Sequence, residues 1–317
     1  MTSQATMTRK QRFFAAVAGQ PVDRIPCTGW VHYMTETLGG TEHAMRHIQW
    51  IRECDWDICK VVNDFHYPFP EGVESIESVE DMLKFKPASL DEASFAEELK
   101  AIRLLRAEFG PDMPIVLTVF DPLRQVVRKA GMSTMEVIFQ NPGPAKAMLD
   151  AVADTMCRYV KAAKEAGCDG IFLASNSGLR PPARFGLDDE RFDKFIRPYE
   201  LQMLEAMKGM VRIVHVHGAH IDMGRALDYP CEVFSVSDRL PGNPSLADLR
   251  KLTDKCLMGG IDESRIHDMT TKELSSQIRN AVELAGRDKL ILAPGCTLPA
   301  WVPAHQLRRI REVSHQL

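Results

Sequence analysis

The sequence predicts an α/β protein that folds as a single (β/α)8 TIM barrel with an N-terminal helical extension. Eight short apolar runs alternate along the chain with longer amphipathic stretches, and this alternation is typical of βα units around a parallel sheet. Eight such units within 317 residues match the usual size of a closed barrel. No linker, low-complexity run or internal repeat interrupts the pattern, so residues 1–317 are predicted to form one domain.

Each predicted strand is a short apolar run bounded by glycine, proline or polar residues. In chain order the strands cover residues 25–31, 57–62, 114–119, 170–174, 211–216, 231–236, 256–261 and 289–293. A helix over residues 9–18 precedes the first strand and forms the extension. Residues 63–114 form a longer excursion with a short helix over residues 79–83. Long segments after barrel strands commonly build or cover the active site.

Amphipathic stretches between the strands predict further helices. Two of them begin with capping boxes, in which a Ser or Thr and an acidic residue three positions later bond to each other's backbone. The two pairs are Ser94 with Glu97, and Thr270 with Glu273. Together with two helices that end at glycines, the predicted helices cover residues 99–109, 145–166, 188–207 and 270–285.

The composition excludes several classes of function. A net charge of -4 with scattered basic residues argues against a nucleic acid or an anionic membrane as partner. No apolar stretch reaches the ~18 residues that a membrane span needs. The segment Met1 to Met7 is polar and unlike a secretory leader, and the eight cysteines contain no C-x-x-C pair. A reduced, cytoplasmic protein is therefore expected.

The pair His215 and His217 is the strongest functional signal. It ends a predicted strand just before Gly218, and side chains at i and i+2 of a strand point to the same side. Both imidazoles are therefore expected to face one way. Cys296 follows the last predicted strand, and imidazole and thiolate are common ligands of transition metals. His215, His217 and Cys296 predict a metal site, with ordinary core or loop packing as the alternative.

Further candidates lie at the carboxyl ends of the predicted strands, where (β/α)8 barrels carry their chemistry. Asp64 follows the second strand and is a candidate catalytic residue as acid, base or ligand, or else it caps the excursion. The candidate substrate-binding residues follow the first, fourth and seventh strands: Trp30, His32, Tyr33, Ser175, Asn176 and Asp262. Core packing, loop hydrogen bonding and turn capping are the alternatives for these side chains.

Several segments resemble the uroporphyrinogen decarboxylase superfamily. The most specific is N-terminal, RKQRFFAA at residues 9–16 followed by GQPVDRIP at residues 19–26. Shorter matches are DICKV at 57–61, GCDGI at 167–171, GGID at 259–262 and GC at 295–296. The resemblance spans nearly the whole chain and implies a (β/α)8 barrel, in agreement with the strand count.

The resemblance implies one of two chemistries. True uroporphyrinogen decarboxylases hold substrate carboxylates with arginines after the first strand, and pyrrole nitrogens with an Asp that Asp64 matches by position. Here the segment after the first strand reads CTGWVHY at residues 27–33 and contains no arginine. A substrate with many carboxylates needs cationic clamps, so a porphyrinogen is not the expected substrate.

The other branch comprises zinc-dependent methyltransferases that work with corrinoid proteins and carry a His-x-Cys motif and a distant Cys. His215 and Cys296 match this motif, whereas His217 stands where the first Cys is expected. The resemblance therefore implies a methyltransferase that demethylates a small methylated substrate, with Zn2+ on His215, His217 and Cys296. Cobalamin on a separate corrinoid protein is the implied methyl acceptor. Asp64 is the implied proton donor or orienting group, and Ser175, Asn176 and Asp262 are expected to position the substrate.

Two alternatives remain open at this point. One is a metal-independent, decarboxylase-like lyase in which Asp64 binds or protonates a carbanion-like intermediate and the histidine pair acts as general acid. The other is a non-catalytic barrel that binds a tetrapyrrole or a corrinoid. The resemblance also implies that two copies pair as a homodimer.

Overall fold

The computed structural model describes residues 6–317. Most of the polar segment on which the leader prediction rests, residues 1–7, therefore lies outside the described residues. Among residues 6–317, no helix combines the length and the apolar character needed to cross a membrane.

Seven parallel strands form one sheet whose spatial order follows the chain. The strands are β1 (Cys59–Val61), β2 (Ile115–Phe120), β3 (Gly170–Ser175), β4 (Val211–Val216), β5 (Val233–Val236), β6 (Cys256–Ile261) and β7 (Leu290–Pro294). They correspond to the second to eighth predicted strands, with shifts of one or two residues at some ends. The prediction of a (β/α)8 barrel is confirmed.

The prediction of a full first strand over residues 25–31 is wrong. Only Cys27 forms a parallel bridge, with Leu292 of β7, while its carbonyl accepts a 3.0 Å bond from the chain just before β1. The segment therefore occupies the eighth position and closes the barrel between β7 and β1. Pro26 has no N–H to donate, and the Trp30 carbonyl bonds to the loop after β7, so the ladder extends in neither direction.

Helices surround this sheet and connect its strands. Within residues 6–317 they are α1 (Arg9–Ala18), α2 (Gly39–Cys54), α3 (Val79–Leu83), α4 (Ala93–Phe109), α5 (Pro122–Ala130), α6 (Thr134–Gln140), α7 (Pro142–Ala166), α8 (Asp189–Phe195), α9 (Arg197–Ala206), α10 (Leu246–Leu252), α11 (Thr271–Ala285) and α12 (Ala304–Ser314).

The helix predictions are confirmed in part. The capping box at Thr270 forms and starts α11. The capping box at Ser94 does not form, because α4 already begins at Ala93 and Ser94 lies inside its first turn. The single helix predicted over residues 188–207 is two helices that meet at Ile196. Pro198 causes the break, because it cannot donate the backbone bond that a continuous helix requires.

Alternate residues along the strands enter two different cores. Ile171 and Leu173 of β3 pack in the layer between the sheet and the helices. Phe172 of the same strand fills the barrel interior together with Ile213 of β4 and Met258 of β6. The same alternation decides which side chains at the strand ends reach the mouth of the barrel.

The N-terminal extension is held to the amino-terminal end of the barrel by a buried charge cluster. The Asp57 carboxylate accepts bonds from Arg12 at 2.9 Å, from both terminal nitrogens of Arg24 at 2.6 and 2.7 Å, and from the Cys27 N–H at 3.0 Å. Arg12 also bonds Asp23 at 2.7 Å through two of its nitrogens. The arginine and aspartate residues of the N-terminal motif therefore have a structural role.

Gly260 on β6 allows the sheet and α11 to approach closely. Its φ is +100°, and a Cβ added there would lie 2.6 Å from the Ala281 Cβ on α11. We expect Gly260→Ala to lower the free energy of unfolding by about 1–3 kcal/mol more than Gly286→Ala does, because overpacking adds to backbone strain. Gly286 is the matched control, since its φ is +79° but nothing lies within 4 Å of an added Cβ. Urea denaturation measures both, and equal losses would contradict the overpacking.

Candidate active site at the barrel mouth

A cavity of about 260 Å³ opens at the carboxyl ends of the strands. Much of its wall is continuous with the barrel interior. The lining residues on β1 to β4 and just after them occupy every second position, and these are the positions whose side chains face the interior core. These lining residues are Lys60, Val62, Thr118, Phe120, Phe172, Ala174, Asn176, His215 and His217. Loops and one helix complete the lining with Trp30, His32, Arg124, Arg128, Cys296 and Thr297.

His215, His217 and Cys296 lie together in this cavity. One donor atom from each residue lies within 4.8 Å of the other two, and the Cys296 sulfur is 3.6 Å from the His217 Nδ1. The two imidazole rings are 5.5 Å apart, so both face the same side of the chain as the i, i+2 spacing predicts. His215 lies near the end of β4, and Cys296 follows the end of β7. The closed sheet brings these two strand ends to the same barrel mouth.

Neighbouring side chains fix the orientation of His215. Its Nδ1 is 3.2 Å from the Ser235 hydroxyl, which lies directly opposite on β5, and its ring stacks on Phe172 at 5.0 Å. With Nδ1 engaged by a hydroxyl, Nε2 is left as the nitrogen available to a ligand. A partner on the second nitrogen is the usual arrangement around metal-bound histidine.

Burial controls the protonation of these three groups. Desolvation lowers the pKa of His215 well below 6.5, and it lowers the pKa of His217 together with the charge of Arg124. Desolvation, helped by the charge of Glu263, raises the pKa of Cys296 to about 11. The imidazoles are therefore held neutral, which is the state that binds metal, and the thiol loses its proton only to a strong Lewis acid.

Lys60 is a cavity residue that the sequence analysis missed. Its Nζ lies 3.9 Å from the centre of the Phe172 ring and 4.5 Å from that of Trp30, and it donates a 2.5 Å bond to the Thr118 hydroxyl. Desolvation lowers its pKa to about 7. The alternation along β1 is the signal that identifies it, because Lys60 lies two residues before Val62 on the interior face.

The predicted substrate-binding residues divide into two groups. Trp30, His32 and Asn176 line the cavity, whereas Tyr33, Ser175 and Asp262 do not. Asn176 continues the alternate positions of β3 that face the barrel interior, whereas Ser175 has a position that faces the helices. This alternation explains why only one of the two adjacent residues lines the cavity.

The three side chains outside the cavity have local partners. The Ser175 hydroxyl accepts a 3.0 Å bond from the Ser177 N–H. Asp262 accepts bonds of 2.6 and 3.0 Å from Ser264 and so caps the turn after β6. Tyr33 packs edge-on against His47 and faces a neighbouring depression.

Asp64 lies behind the cavity wall and contacts the cavity through His32. Its Oδ1 is 2.8 Å from the His32 Nδ1, and its Oδ2 accepts from the Tyr33 N–H at 3.0 Å and from the Thr35 hydroxyl at 3.2 Å. Although burial acts in the opposite direction, these bonds and the charges of His32 and His43 lower the pKa of Asp64 to about 2. Asp64 is therefore ionised near neutral pH and orients His32.

The low pKa of Asp64 makes stability depend on acid pH. A carboxyl group whose pKa falls from 3.8 to about 2 on folding stabilises the fold above the higher value. The stabilisation, roughly 2 kcal/mol, is lost as the pH falls through the lower value. Below pH ~5, we expect the difference in unfolding free energy between the native chain and Asp64→Asn to stay constant down to pH ~4 and then to shrink towards pH ~2. Denaturant titrations measure it, with exposed Asp193→Asn as control, and a pH-independent difference would contradict the assignment.

Two arginines complete the cavity and were also missed. Arg124 and Arg128 lie one turn apart on α5, the helix that follows β2. The helix is amphipathic, but its sequence alone does not indicate that this side of it contacts the barrel mouth.

The fold and this site together define a class of protein: a (β/α)8-barrel enzyme with nitrogen and sulfur donors gathered at the mouth of the barrel. The family model described as Uroporphyrinogen decarboxylase (URO-D) matches residues 66–317. The chain belongs to the uroporphyrinogen decarboxylase (URO-D) family.

Curated relatives narrow the type of enzyme. Proteins named Methylcobamide:CoM methyltransferase MtbA from Methanosarcina mazei and Methanosarcina acetivorans are each 24% identical to this chain. Each alignment covers 96% of this chain and 97% of the relative. The relatives place the chain among enzymes of the methyltransferase type, and the predicted resemblance to that branch is confirmed.

Solved structures show the same fold. A methyltransferase from Methanosarcina mazei superposes with a TM-score of 0.80 over 98% of this chain and 99% of its own, at 17% identity. A putative vitamin-B12 independent methionine synthase from Listeria monocytogenes gives a TM-score of 0.55 over 87% of this chain and 86% of its own, at 14% identity.

Proposed function

We propose that this chain is a zinc-dependent methyltransferase that works with a corrinoid protein and demethylates a small methylated substrate. His215, His217 and Cys296 hold the Zn2+, and a cobamide on the separate corrinoid protein accepts the methyl group. The observation that carries the proposal is the convergence of these two nitrogens and one sulfur within 4.8 Å at the barrel mouth. The relatives named for methylcobamide support the corrinoid link.

The donor set fits zinc. Tetrahedral zinc with Zn–N of about 2.0–2.1 Å and Zn–S of about 2.3 Å sets its ligand atoms about 3.3–3.6 Å apart. The separation between Cys296 and His217 is 3.6 Å, and a pair at the 4.8 Å limit needs to approach by about 1.2–1.5 Å. Three protein ligands leave the fourth position to substrate, which is typical of catalytic rather than structural zinc.

When bound, zinc supplies Lewis acidity that stabilises negative charge on the substrate heteroatom released by methyl loss. The residues of this chain shape the site around that atom. Ser235 holds the His215 ring, and Asp64 holds the His32 ring at the edge of the cavity. Asn176 offers an amide to orient the substrate, and the Lys60 Nζ offers N–H donors in the same cavity.

The remaining predicted residues act indirectly in this proposal. Tyr33, through its N–H, helps to hold Asp64, while Ser175 and Asp262 shape the loops after β3 and β6. A cavity of about 260 Å³ suits a small substrate and is too small to enclose a tetrapyrrole. The size of the cavity therefore disfavours a tetrapyrrole-binding barrel. The engagement of both Asp64 oxygens by protein groups disfavours a lyase that uses Asp64 on its substrate.

The test is methyl transfer by the purified, zinc-loaded full chain. A panel of methyl ethers, methylamines and methyl thioethers is incubated with cob(I)alamin, and the formation of methylcobalamin is followed by absorbance. We expect turnover with at least one class, its loss after chelation of zinc and its return on adding zinc. Turnover that survives chelation overturns the role of zinc. Transfer only in the reverse direction, from methylcobalamin to a thiol, overturns the direction proposed.

A further inference from the structure

Arg124 and Arg128 differ from most of the other half-buried arginines in the described part of the chain. Arg106 and Arg212, for example, each form an ion pair with a carboxylate, at 2.7 and 2.6 Å. Arg250, which has no carboxylate partner within that part of the chain, donates instead to three backbone carbonyls. Among residues 6–317, neither Arg124 nor Arg128 forms an ion pair with a carboxylate. Both guanidinium groups nevertheless line the same small cavity as the proposed zinc ligands.

The contacts of the two arginines position them without neutralising them. The Arg128 guanidinium lies 4.1 Å from the centre of the Phe120 ring and donates to the Asn63 carbonyl and side-chain oxygen at 3.0 and 3.2 Å. The Arg124 guanidinium lies 3.7 Å from the centre of the Phe185 ring. These partners are uncharged, and they hold each guanidinium in place while leaving some of its N–H donors free.

Two like charges one helical turn apart repel each other and destabilise a helix. Asp121 offsets this repulsion only in part. Its Oδ1 accepts a 2.9 Å bond from the Arg124 backbone N–H and so caps the helix, and it does not bond the guanidinium. A pair of half-buried arginines one helical turn apart, with no carboxylate in direct contact with either guanidinium, therefore presents a site for an anion. Guanidinium groups favour planar oxyanions, which they bind through paired hydrogen bonds.

We propose that Arg124 and Arg128 form an oxyanion-binding subsite, and that the ligand of this cavity is a small molecule with a flat apolar body and one anionic end. The body contacts the aromatic side chains of Trp30, Phe120 and Phe172, which line the same cavity. Carboxylate, sulfonate and phosphate share the required chemistry. This inference rests on the proposed function only in assigning the other end of the ligand to the zinc site.

The test measures binding to the full chain by isothermal titration calorimetry. The probes are benzoate, benzenesulfonate and phenyl phosphate, with benzamide as the neutral analogue of benzoate. Each is titrated into the native chain, Arg124→Gln, Arg128→Gln and the double variant, with zinc and after chelation. The matched control is Arg103→Gln, because Arg103 is exposed on α4 and does not line the cavity.

We expect at least one anion to bind the native chain and Arg103→Gln about tenfold or more tightly than benzamide. Each cavity variant is expected to lower the affinity for that anion by about tenfold or more and to leave the affinity for benzamide unchanged. Retained benzamide binding and an unchanged or raised melting temperature show that the variants fold. Relative affinities for the three anions identify the headgroup.

Three results overturn the proposal: no anion binds the native chain, benzamide binds as tightly as the best of the three anions, or the double variant binds the anions as the native chain does. The measurement needs neither cobamide nor turnover. If the arginine effect persists while zinc neither binds nor supports activity, the proposed function fails and the oxyanion subsite stands.

Discussion

Replacing Cys296 with Ala is expected to weaken zinc binding by more than about a hundredfold, because loss of outer partners of a ligand alone costs about 10–100-fold. Cys296 is the only sulfur among the three proposed ligands, and it supplies the single negative charge of the set. Without it two neutral imidazoles remain, and they give Zn2+ neither a negative charge nor a third protein ligand. Competition with a chromophoric chelator measures the affinity. Methyl transfer is expected to fall with it.

The matched control is Cys157→Ala. Cys157 is a free cysteine that, like Cys296, is partly exposed, but it lies on α7 away from the barrel mouth. We expect this variant to bind zinc as the native chain does. His217→Ala is expected to behave like Cys296→Ala, and it tests the departure of this chain from the His-x-Cys motif. Native affinity in both cavity variants contradicts the assignment of these ligands.

The second large effect is expected at the buried charge cluster under the barrel. Asp57→Ala removes the carboxylate that accepts bonds from Arg12, Arg24 and the Cys27 N–H. Breaking a buried ion pair by removing one partner costs about 3–5 kcal/mol, because the other charge stays buried without compensation. Arg12 keeps Asp23, whereas Arg24 has no second carboxylate ion pair within residues 6–317. We therefore expect a loss of stability in this range, measured by urea denaturation.

Asp193→Ala is the control for this prediction, since Asp193 is exposed on α8 and is expected to change stability by less than about 0.5 kcal/mol. A loss below about 1 kcal/mol for Asp57→Ala would falsify the view that the cluster holds α1 to the barrel. Zinc affinity per folded molecule is expected to be unchanged, because the cluster lies at the opposite end of the strands from the candidate site.

Much of the fold is predictable from the sequence because alternation of strands and helices is a local property of the hydrophobic pattern. Seven of the eight predicted strands exist, and capping at Thr270 is local enough to be recognised. The first strand fails because pairing depends on partners remote in sequence. Cys27 finds Leu292, but its neighbours turn away to close the barrel and to meet the loop after β7.

The candidate site was predictable to the same extent. His215 and His217 are visible as a pair because i, i+2 spacing on a strand determines that they face one side. Ser175 and Asn176 are both polar residues suited to binding a substrate, but the alternation of side chains along β3 places only Asn176 in the cavity. Asp64 has the position of a catalytic carboxylate, but the backbone of Tyr33 and the ring of His32 occupy its oxygens.

The sequence by itself determined the barrel, its family resemblance and the three donor residues that are candidates for zinc. Hydrophobic periodicity and residue type can be read from short segments of the chain without knowledge of remote contacts. Only the tertiary structure decided which side chains share the cavity. Lys60, Arg124 and Arg128 come from β1 and α5, and they meet Cys296 only after the sheet closes on itself. Closure sets the direction of every side chain at the barrel mouth, and that direction depends on strand pairing between segments far apart in the chain.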